Sequence, residues 1–234
     1  MSATLRPLFP IGLDLVGQPV LVIGGEDEAR DKTARLLDAE ALVTVVSPAV
    51  EPQIRSWAAS GRLVWLRRTV RPADLRGRRL VVSTLTDGNP AHPAVAAWAR
   101  RERVLLSTYD QPDRSDLGMP AVVSRGHLRI AIATSNASPS VAGILRRELE
   151  RVIDASDLVP FLDELGELRR ELRDRVADGD TRRALLRQAA AGLTVAGTIR
   201  TPAGWRERLA DVRQRFRVIR SAPPMTGPKV TGPT

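Results

Sequence analysis

The stretch from Val20 to Leu37, VLVIGGEDEARDKTARLL, constrains the fold more than any other part of the chain. A short apolar run passes directly into Gly24 and Gly25, and a helical pattern begins immediately afterwards. A buried strand that ends in a glycine turn and continues as a helix is how α/β proteins build a phosphate-binding turn, because the helix start presents unpaired N–H groups. The sequence therefore predicts a strand, a tight turn and a helix here.

The alternation of strand and helix patterns continues to about residue 133. Segments with the helical period separate the apolar runs that predict strands, which are VLVIGG, ALVTVVSP, RLVWLRR, RRLVVSTLT, VLLSTYD and LRIAIAT. Strands that alternate with helices at this spacing predict a parallel sheet with right-handed crossovers. We therefore expect an α/β fold built on a Rossmann-type parallel sheet.

The carboxyl-terminal part of the chain has a different pattern. Ser138 and Pro139 form a helix-start signal, and beyond Asp154 the strand patterns stop. An amphipathic helix is predicted by one apolar stripe, which consists of Leu158, Phe161, Leu162, Leu165, Leu168, Leu172 and Val176. More helix is expected through Leu186 and over 204–219. The Pro-, Gly- and Thr-rich tail, residues 220–234, is predicted to be disordered.

Composition excludes several kinds of site. The 234 residues include no cysteine, which rules out disulfides, thiolate metal sites and a cysteine nucleophile. His92 and His127 are the only histidines, and each is interpreted as a surface or capping residue, so no metal site is predicted. No apolar run approaches the ~20 residues of a membrane span, and the start of the chain lacks a signal-peptide core. We expect a cytoplasmic protein that makes no membrane contact.

The net charge of +9 is carried almost entirely by arginine. A basic chain can attract nucleic acid or a polyanionic small molecule. Aromatic residues, which would stack on single-stranded bases, make up only 3% of the chain, and the basic residues are interleaved with acids. Both features disfavour nucleic acid as the partner.

The glycine turn departs from the usual dinucleotide pattern. In the motif G-x-G-x-x-G/A, the second glycine lets the pyrophosphate approach the backbone. Gly24 and Ala29 fill the first and last places, but Glu26 occupies the middle one. A carboxylate there would repel pyrophosphate by ~1–4 kcal/mol at about 4 Å, unless its side chain points into solvent. From these residues alone, a turn that binds no ligand remains an alternative.

The longer pattern of the chain resembles one family. Its segments are LFPIGLDLVGQPVLVIGG, VTVVSP, TDGNPAH and STYDQPDRSDLGMPAVVSRGHLRIAIATSNASPSVAGILRRELE. These resemble the precorrin-2 dehydrogenase/sirohydrochlorin ferrochelatase family, which forms the amino-terminal module of siroheme synthase. The resemblance covers about residues 5–220 and weakens after Glu150. Its most specific part runs from Asp110 to Pro139.

The resemblance implies an oxidoreductase that converts precorrin-2 to sirohydrochlorin with NAD in siroheme biosynthesis. Some members of the family also act as a ferrochelatase, a lyase that takes Fe²⁺ as a substrate. Members are homodimers, which implies an NAD-binding domain over 1–115 and a dimerisation segment over 116–154 that holds the last strand and the Ser-Pro helix. A helical carboxyl-terminal domain would follow over 155–219.

The resemblance also assigns site residues. Asp110 corresponds to the catalytic aspartate, whereas Asp113 and Asp116 are interpreted as turn residues. The cofactor residues implied are Gly24, Gly25, Glu26, Asp27, Glu28, Ala29, Ser47, Pro48, Ala49, Thr86 and Asp87. The substrate residues implied are Ser107, Thr134, Ser135, Asn136 and Ser138. Arginines that could pair with the carboxylates of the tetrapyrrole are Arg125, Arg146 and Arg147.

Several positions depart from the family. Ser107 replaces a usual asparagine, Ser135 and Asn136 replace a usual Gly-Gly pair, and Thr134 stands where some members carry a phosphorylatable serine. Together with Glu26, these departures leave two alternatives open. One is a chelatase or tetrapyrrole-binding protein that has lost NAD, and the other is a non-enzymatic binding module derived from a Rossmann fold.

Overall fold

The computed structural model describes residues 8–86, 88–109, 111–135 and 137–197, together with residues 207 and 210. The strands are β1 Pro19–Ile23, β2 Leu42–Val46, β3 Val64–Leu66, β4 Leu80–Ser83, β5 Leu105–Thr108, β6 Ala121–Arg125 and β7 Leu128–Ile132. The helices are α1 Asp27–Asp38, α2 Pro52–Ala59, α3 His92–Glu102, α4 Pro139–Asp154, α5 Leu158–Arg175 and α6 Gly179–Ala189.

The first five strands form one parallel sheet in the order β3-β2-β1-β4-β5. This order places β1 at the centre, where the chain reverses direction across the sheet, and it matches the first five strands of the Rossmann order 3-2-1-4-5-6. The predicted Rossmann-type α/β fold is therefore confirmed. The reversal opens a crevice at the carboxyl end of β1, which is where the glycine turn lies.

Two hydrophobic clusters cover the two faces of this sheet. Val20 and Val22 of β1 belong to the cluster that contains α1 and α2, whereas Leu21 and Ile23 belong to the cluster that contains α3. All four side chains are almost completely buried. A central parallel strand is covered on both faces, which explains why VLVI is continuously apolar rather than alternating.

The run LRIAIAT was expected to extend the parallel sheet, and this prediction was wrong. It forms β7, which pairs antiparallel with β6 in a separate two-stranded sheet. Only Gly126 and His127 connect the two strands, and a parallel pairing needs a crossover of about a dozen residues. Strand β6, AVVSR, was not predicted.

Three helices, α4 to α6, follow the hairpin in the described chain. The predicted start of α4 is confirmed, because the Ser138 hydroxyl accepts a hydrogen bond from the Val141 N–H at 3.3 Å. The apolar stripe lies on α5 and continues to Val176, but none of its side chains is fully buried.

The chain divides into two compact units, residues 1–172 and 173–234. No described helix is both long and apolar enough to cross a membrane.

The predicted helix over 204–219 lies outside the described residues except at residues 207 and 210, which are helical. The tail over 220–234 lies outside them entirely. The domain boundaries expected from the sequence therefore remain predictions.

The end of α1 generates a prediction about stability. Glu40 follows the helix in a left-handed conformation with φ 56°, and its N–H donates to the Leu37 carbonyl. Glycine adopts this conformation without the ~1–2 kcal/mol cost that a Cβ imposes, although glycine also loses more entropy on folding. We expect Glu40→Gly to raise the free energy of unfolding by about 0.5–1 kcal/mol, measured by urea denaturation.

Asp38→Gly is the matched control, because Asp38 is the last helical residue and is also exposed. Glycine within a helix costs about 0.5–1 kcal/mol, so this variant should be less stable than the native protein. Equal destabilisation by both substitutions would contradict the interpretation of Glu40.

Candidate functional site

A cleft of about 820 Å³ opens at the carboxyl edge of the parallel sheet. Four parts of the chain line it: the glycine turn with the start of α1 (24–28), the loop after β2 (47–51), the segment after β4 (84–86 and Asn89), and Tyr109 after β5. The volume lies within the range of cofactor sites, and the position is where α/β proteins bind nucleotides.

The glycine turn has no room for side chains. Gly24 has φ 119°, and a Cβ built there would collide with the Thr84 hydroxyl. A Cβ on Gly25 would collide with the Ala49 carbonyl oxygen. Ala29 is completely buried where α1 packs on the sheet. The small residues at 24, 25 and 29 therefore hold the strand, the helix and both neighbouring segments in close contact.

Glu26 lies at the amino-terminal boundary of α1, and it is exposed. Its side chain makes no capping hydrogen bond to the helix. The N–H groups at the start of α1 therefore carry no side-chain cap, which is the arrangement that binds phosphate in other proteins. The exposed position supports the interpretation in which the Glu26 carboxylate points into solvent.

One backbone hydrogen bond and two from side chains hold the loop after β2 in place beside the glycine turn. The Glu51 N–H donates to the Gly25 carbonyl at 2.7 Å. The Trp65 indole donates to the Ser47 carbonyl at 2.9 Å, and the Ser47 hydroxyl donates to the Ala49 carbonyl at 2.6 Å. The loop is therefore fixed on both sides, although it has no regular secondary structure.

The charge of the cleft is opposite to that of the chain. Glu26, Asp27, Glu28 and Glu51 line the cleft, and the described lining residues include no lysine or arginine. The whole chain carries a net charge of +9. An anionic ligand would therefore be held by backbone N–H groups and the helix dipole rather than by a basic side chain.

Most of the predicted cofactor residues meet in this cleft. Those that line it are Gly24, Gly25, Glu26, Asp27, Glu28, Ser47, Pro48, Ala49 and Thr86, with Ala29 buried beneath it. Asp87 and Asp110 lie outside the described residues, as does Asn136. Ser107 is buried within the sheet and does not line the cleft.

The other predicted substrate residues lie elsewhere. Thr134 and Ser135 line a second cavity of about 250 Å³, next to Pro139 and the half-buried Arg35. Ser135 has φ 49°, a conformation that favours the glycine usual in the family. Arg35 lies in the last turn of α1, whereas Glu26 precedes its first turn, so the two cavities lie at opposite ends of this helix.

Arg35 is held in place in the second cavity by the β6 segment. Its guanidinium donates to the Pro120 carbonyl at 2.8 Å. Burial lowers the pKa of the Arg35 guanidinium, while Glu28 and Asp31 act against that shift. An arginine keeps its charge in spite of such a shift, so the cavity contains a cation that an anionic group could pair with.

Two of the three arginines expected to contact substrate, Arg125 and Arg146, have acidic partners in the protein. Arg125 pairs with both oxygens of Asp154, at 2.6 and 2.9 Å, and Arg146 pairs with Glu150 at 2.7 Å. The Arg125 guanidinium holds the pKa of Asp154 below its usual range. Arg125 and Arg146 therefore stabilise contacts of α4 rather than reaching the cleft.

Burial and contacts test the expectations for three other residues, His127, His92 and Asp116. His127 is exposed, as expected. Of the two interpretations given for His92, surface or capping residue, the surface one was wrong, because His92 is 4% exposed. His92 begins α3 on the face that packs against the sheet. The Asp116 carboxylate accepts a hydrogen bond from the Leu106 N–H at 3.0 Å, which agrees with a structural role.

Several residues of the cleft were not predicted from the sequence. These are Val50, Glu51, Thr84, Leu85, Asn89 and Tyr109. Glu51 had a local signal, because an acid before Pro52 is typical of a helix start, but nothing nearby in sequence placed it against the glycine turn. The Glu51–Gly25 contact joins residues far apart in the chain and depends on the pairing of β1 with β2.

The sheet order and the glycine cleft define a Rossmann-type dinucleotide-binding protein. Residues 11–121 match a family model described as "Putative NAD(P)-binding". The structure is similar to that of "SirC, precorrin-2 dehydrogenase", with a TM-score of 0.62 and 24% identity over 92% of this chain and all of that one. At this identity the likeness establishes the fold.

Sequence relatives define the family further. The chain is 37% identical over 145 residues to siroheme synthase 1 of Aeromonas salmonicida, which covers 62% of this chain and 31% of that protein. It is 34% identical over 175 residues to siroheme synthase 3 of Aeromonas hydrophila, covering 75% and 37%. The chain thus spans about a third of the length of these relatives. It belongs to the precorrin-2 dehydrogenase/siroheme synthase amino-terminal family.

The exposed Glu26 generates a prediction about affinity. A carboxylate about 4 Å from a phosphate in water costs ~1 kcal/mol, or about fivefold in affinity. We expect Glu26→Gln to tighten NAD binding by about that factor in low salt and by less in high salt, as measured by calorimetry.

Glu26→Gly separates charge from bulk, because it should match Glu26→Gln if only the charge matters. Asp38→Asn, at the opposite end of α1, should leave the affinity unchanged. An NAD affinity that neither Glu26→Gln nor Glu26→Gly changes would show that Glu26 does not oppose the cofactor.

Proposed function

We propose that this protein is a precorrin-2 dehydrogenase, which oxidises precorrin-2 to sirohydrochlorin in siroheme biosynthesis with NAD as the hydride acceptor. One observation carries the proposal: a dinucleotide cleft with a side-chain-free glycine turn occurs in a chain that is 37% identical to a siroheme synthase over 145 residues.

The residues of the cleft fit a bound dinucleotide. The close approach at Gly24 and Gly25 leaves backbone rather than side chains at the turn. The uncapped start of α1 would hold the pyrophosphate. Ser47, Pro48 and Ala49 would border the adenosine ribose, and Thr86 would lie toward the nicotinamide. When bound, the nicotinamide supplies the hydride acceptor.

We further propose NAD rather than NADP as the cofactor. NADP carries a 2′-phosphate of about −1.5 to −2 charge, and proteins that bind it usually provide an arginine. Four carboxylates and no basic side chain are found among the described residues that line this cleft. The acidic lining of the cleft therefore supports NAD, which carries less negative charge than NADP.

We propose Asp110 as the base that accepts the proton lost when precorrin-2 is oxidised. Asp110 lies outside the described residues, and the support is its match to the family's catalytic aspartate. Its neighbour Tyr109 lines the cleft. The same carboxylate would accept pyrrole N–H protons if the protein also inserts Fe²⁺ into sirohydrochlorin, with Fe²⁺ as a substrate.

The expected result of Asp110→Asn is retained tetrapyrrole binding with turnover lower by ~10²–10⁴, the usual contribution of general acid–base catalysis. The measurement is anaerobic absorbance, first with precorrin-2 and NAD, then with sirohydrochlorin and Fe²⁺. Asp113→Asn, three residues later in the sequence, is the control and should keep the native rate.

Each outcome of this assay decides between the alternatives. A full rate for Asp110→Asn in both reactions would refute its role as the base. Metal insertion without oxidation would support a chelatase that has lost NAD. Neither reaction in the native protein would support a non-enzymatic binding module.

We propose that the protein is a cytoplasmic homodimer. The absence of cysteine supports a reducing compartment. The support for a dimer is the apolar surface of α4 and α5: Val141, Ile144 and Val152 of α4 are 45–53% exposed, and the α5 stripe is only half-buried. Apolar surface of this extent is typical of an interface between proteins.

A dimer would also explain the separation of the two predicted sites. Within one chain, Arg35, which lines the second cavity with Thr134 and Ser135, lies about 13 Å along α1 from Glu26 of the cleft, at a rise of ~1.5 Å per residue. We propose that a second copy brings its own Thr134 segment to the cofactor cleft.

Replacing Leu165 and Leu168 with glutamate should yield monomers, because charges on the stripe would be buried without partners. Sedimentation velocity at micromolar concentration measures the result. Glu164→Arg with Glu167→Arg changes charge on the exposed side of the same helix and should leave the dimer intact. A native protein that is monomeric at this concentration would refute the dimer.

A further inference from the structure

We propose that Glu51 determines which dinucleotide this protein binds. Its carboxylate would accept hydrogen bonds from the hydroxyls of the adenosine ribose and would neutralise the charge of Arg30. The inference rests on the proposed function, since it concerns the NAD cleft. Many Rossmann proteins place an acid at the end of the second strand for this purpose. Ser47 occupies that position here, and the structure places a carboxylate four residues later.

The position of Glu51 is fixed by the backbone. Its N–H donates to the Gly25 carbonyl at 2.7 Å, so the residue lies directly beside the glycine turn. Its side chain is 25% exposed and lines the cleft. The Ser47 hydroxyl already donates to the Ala49 carbonyl at 2.6 Å, which leaves it no proton to donate to a ligand.

The Glu51 carboxylate is held in one orientation. One oxygen accepts a hydrogen bond from the Gln53 N–H at 2.9 Å, and the other lies 3.5 Å from the Arg30 guanidinium. An ionised carboxylate accepts about four hydrogen bonds, so lone pairs remain for ribose hydroxyls. A 2′-phosphate in the same place would be repelled.

Arg30 is a cation that the native protein prevents from binding phosphate. Asp27 and Asp31 contact it at 3.0 and 2.8 Å, and Glu51 is its third acidic neighbour. Asp27, which also lines the cleft, and Asp31 are largely exposed to solvent, whereas Glu51 is the least exposed of the three acids. Removal of the Glu51 charge would therefore leave Arg30 able to attract a 2′-phosphate.

Isothermal titration calorimetry of the full chain with NAD and with NADP tests the inference. The native protein should bind NAD more tightly than NADP. Glu51→Gln should reduce that preference by about tenfold or more, which corresponds to a differential of ~1.4 kcal/mol. The glutamine side chain can still accept the hydrogen bond from the Gln53 N–H. We therefore expect the melting temperature of Glu51→Gln to equal that of the native protein, which would show that the loop is intact.

Two variants separate Glu51 from the other acids. Asp31→Asn removes another partner of Arg30 but leaves the cleft unchanged, so the preference should change by less than about threefold, as for exposed ion pairs. Adding Arg30→Ala to Glu51→Gln should abolish the gain in NADP affinity. If the gain in NADP affinity persists in the double variant, Arg30 does not attract the 2′-phosphate, and that part of the inference is overturned.

The outcomes separate this inference from the function on which it rests. NAD binding by the native protein with an unchanged preference in Glu51→Gln would overturn the role of Glu51 and leave the proposed function standing. Failure of the native protein to bind either dinucleotide would overturn both.

Discussion

The site depends on the absence of side chains at Gly24 and Gly25. Because β1 is the central strand, β2 and β4 lie on either side of it, and the segments that follow these strands meet at its end. Thr84 approaches Gly24 from one side, and Ala49 approaches Gly25 from the other. A Cβ at either position would push one wall of the cleft away. The glycine pair therefore shapes the cleft through protein contacts, before any contact with a ligand.

This constraint changes the interpretation of the departure at Glu26. In the usual motif, the second glycine serves the approach of the pyrophosphate. Here Gly25 serves the approach of the loop after β2, and Glu26 begins the helix with its side chain in solvent. The charge of Glu26 still acts on an anion, but its bulk does not fill the turn.

The sequence predicted those features that depend on local periodicity. The parallel strands, α1 to α4 and the residues of the glycine turn follow from patterns within about 20 residues. The hairpin β6–β7 was missed because β6 is only half-buried, so its apolar signal is weak. Glu51 and the burial of His92 were missed for another reason. Both depend on which strands and helices become neighbours in space, and local patterns do not contain that information.

The contrast between the two cavities bears on how a tetrapyrrole with many carboxylates could bind. The cofactor cleft is acidic among its described residues, so it would not attract such a substrate by charge. The second cavity contains Arg35 and lies next to the start of α4. Arg125 and Arg146 are already paired within the protein. In the proposed homodimer, the cavity with Arg35 would supply the positive charge and the cofactor cleft of the other copy would supply the oxidant. The half-buried stripe of α5 is consistent with this arrangement, because surface that is incompletely buried in one chain is available to hold the two copies together.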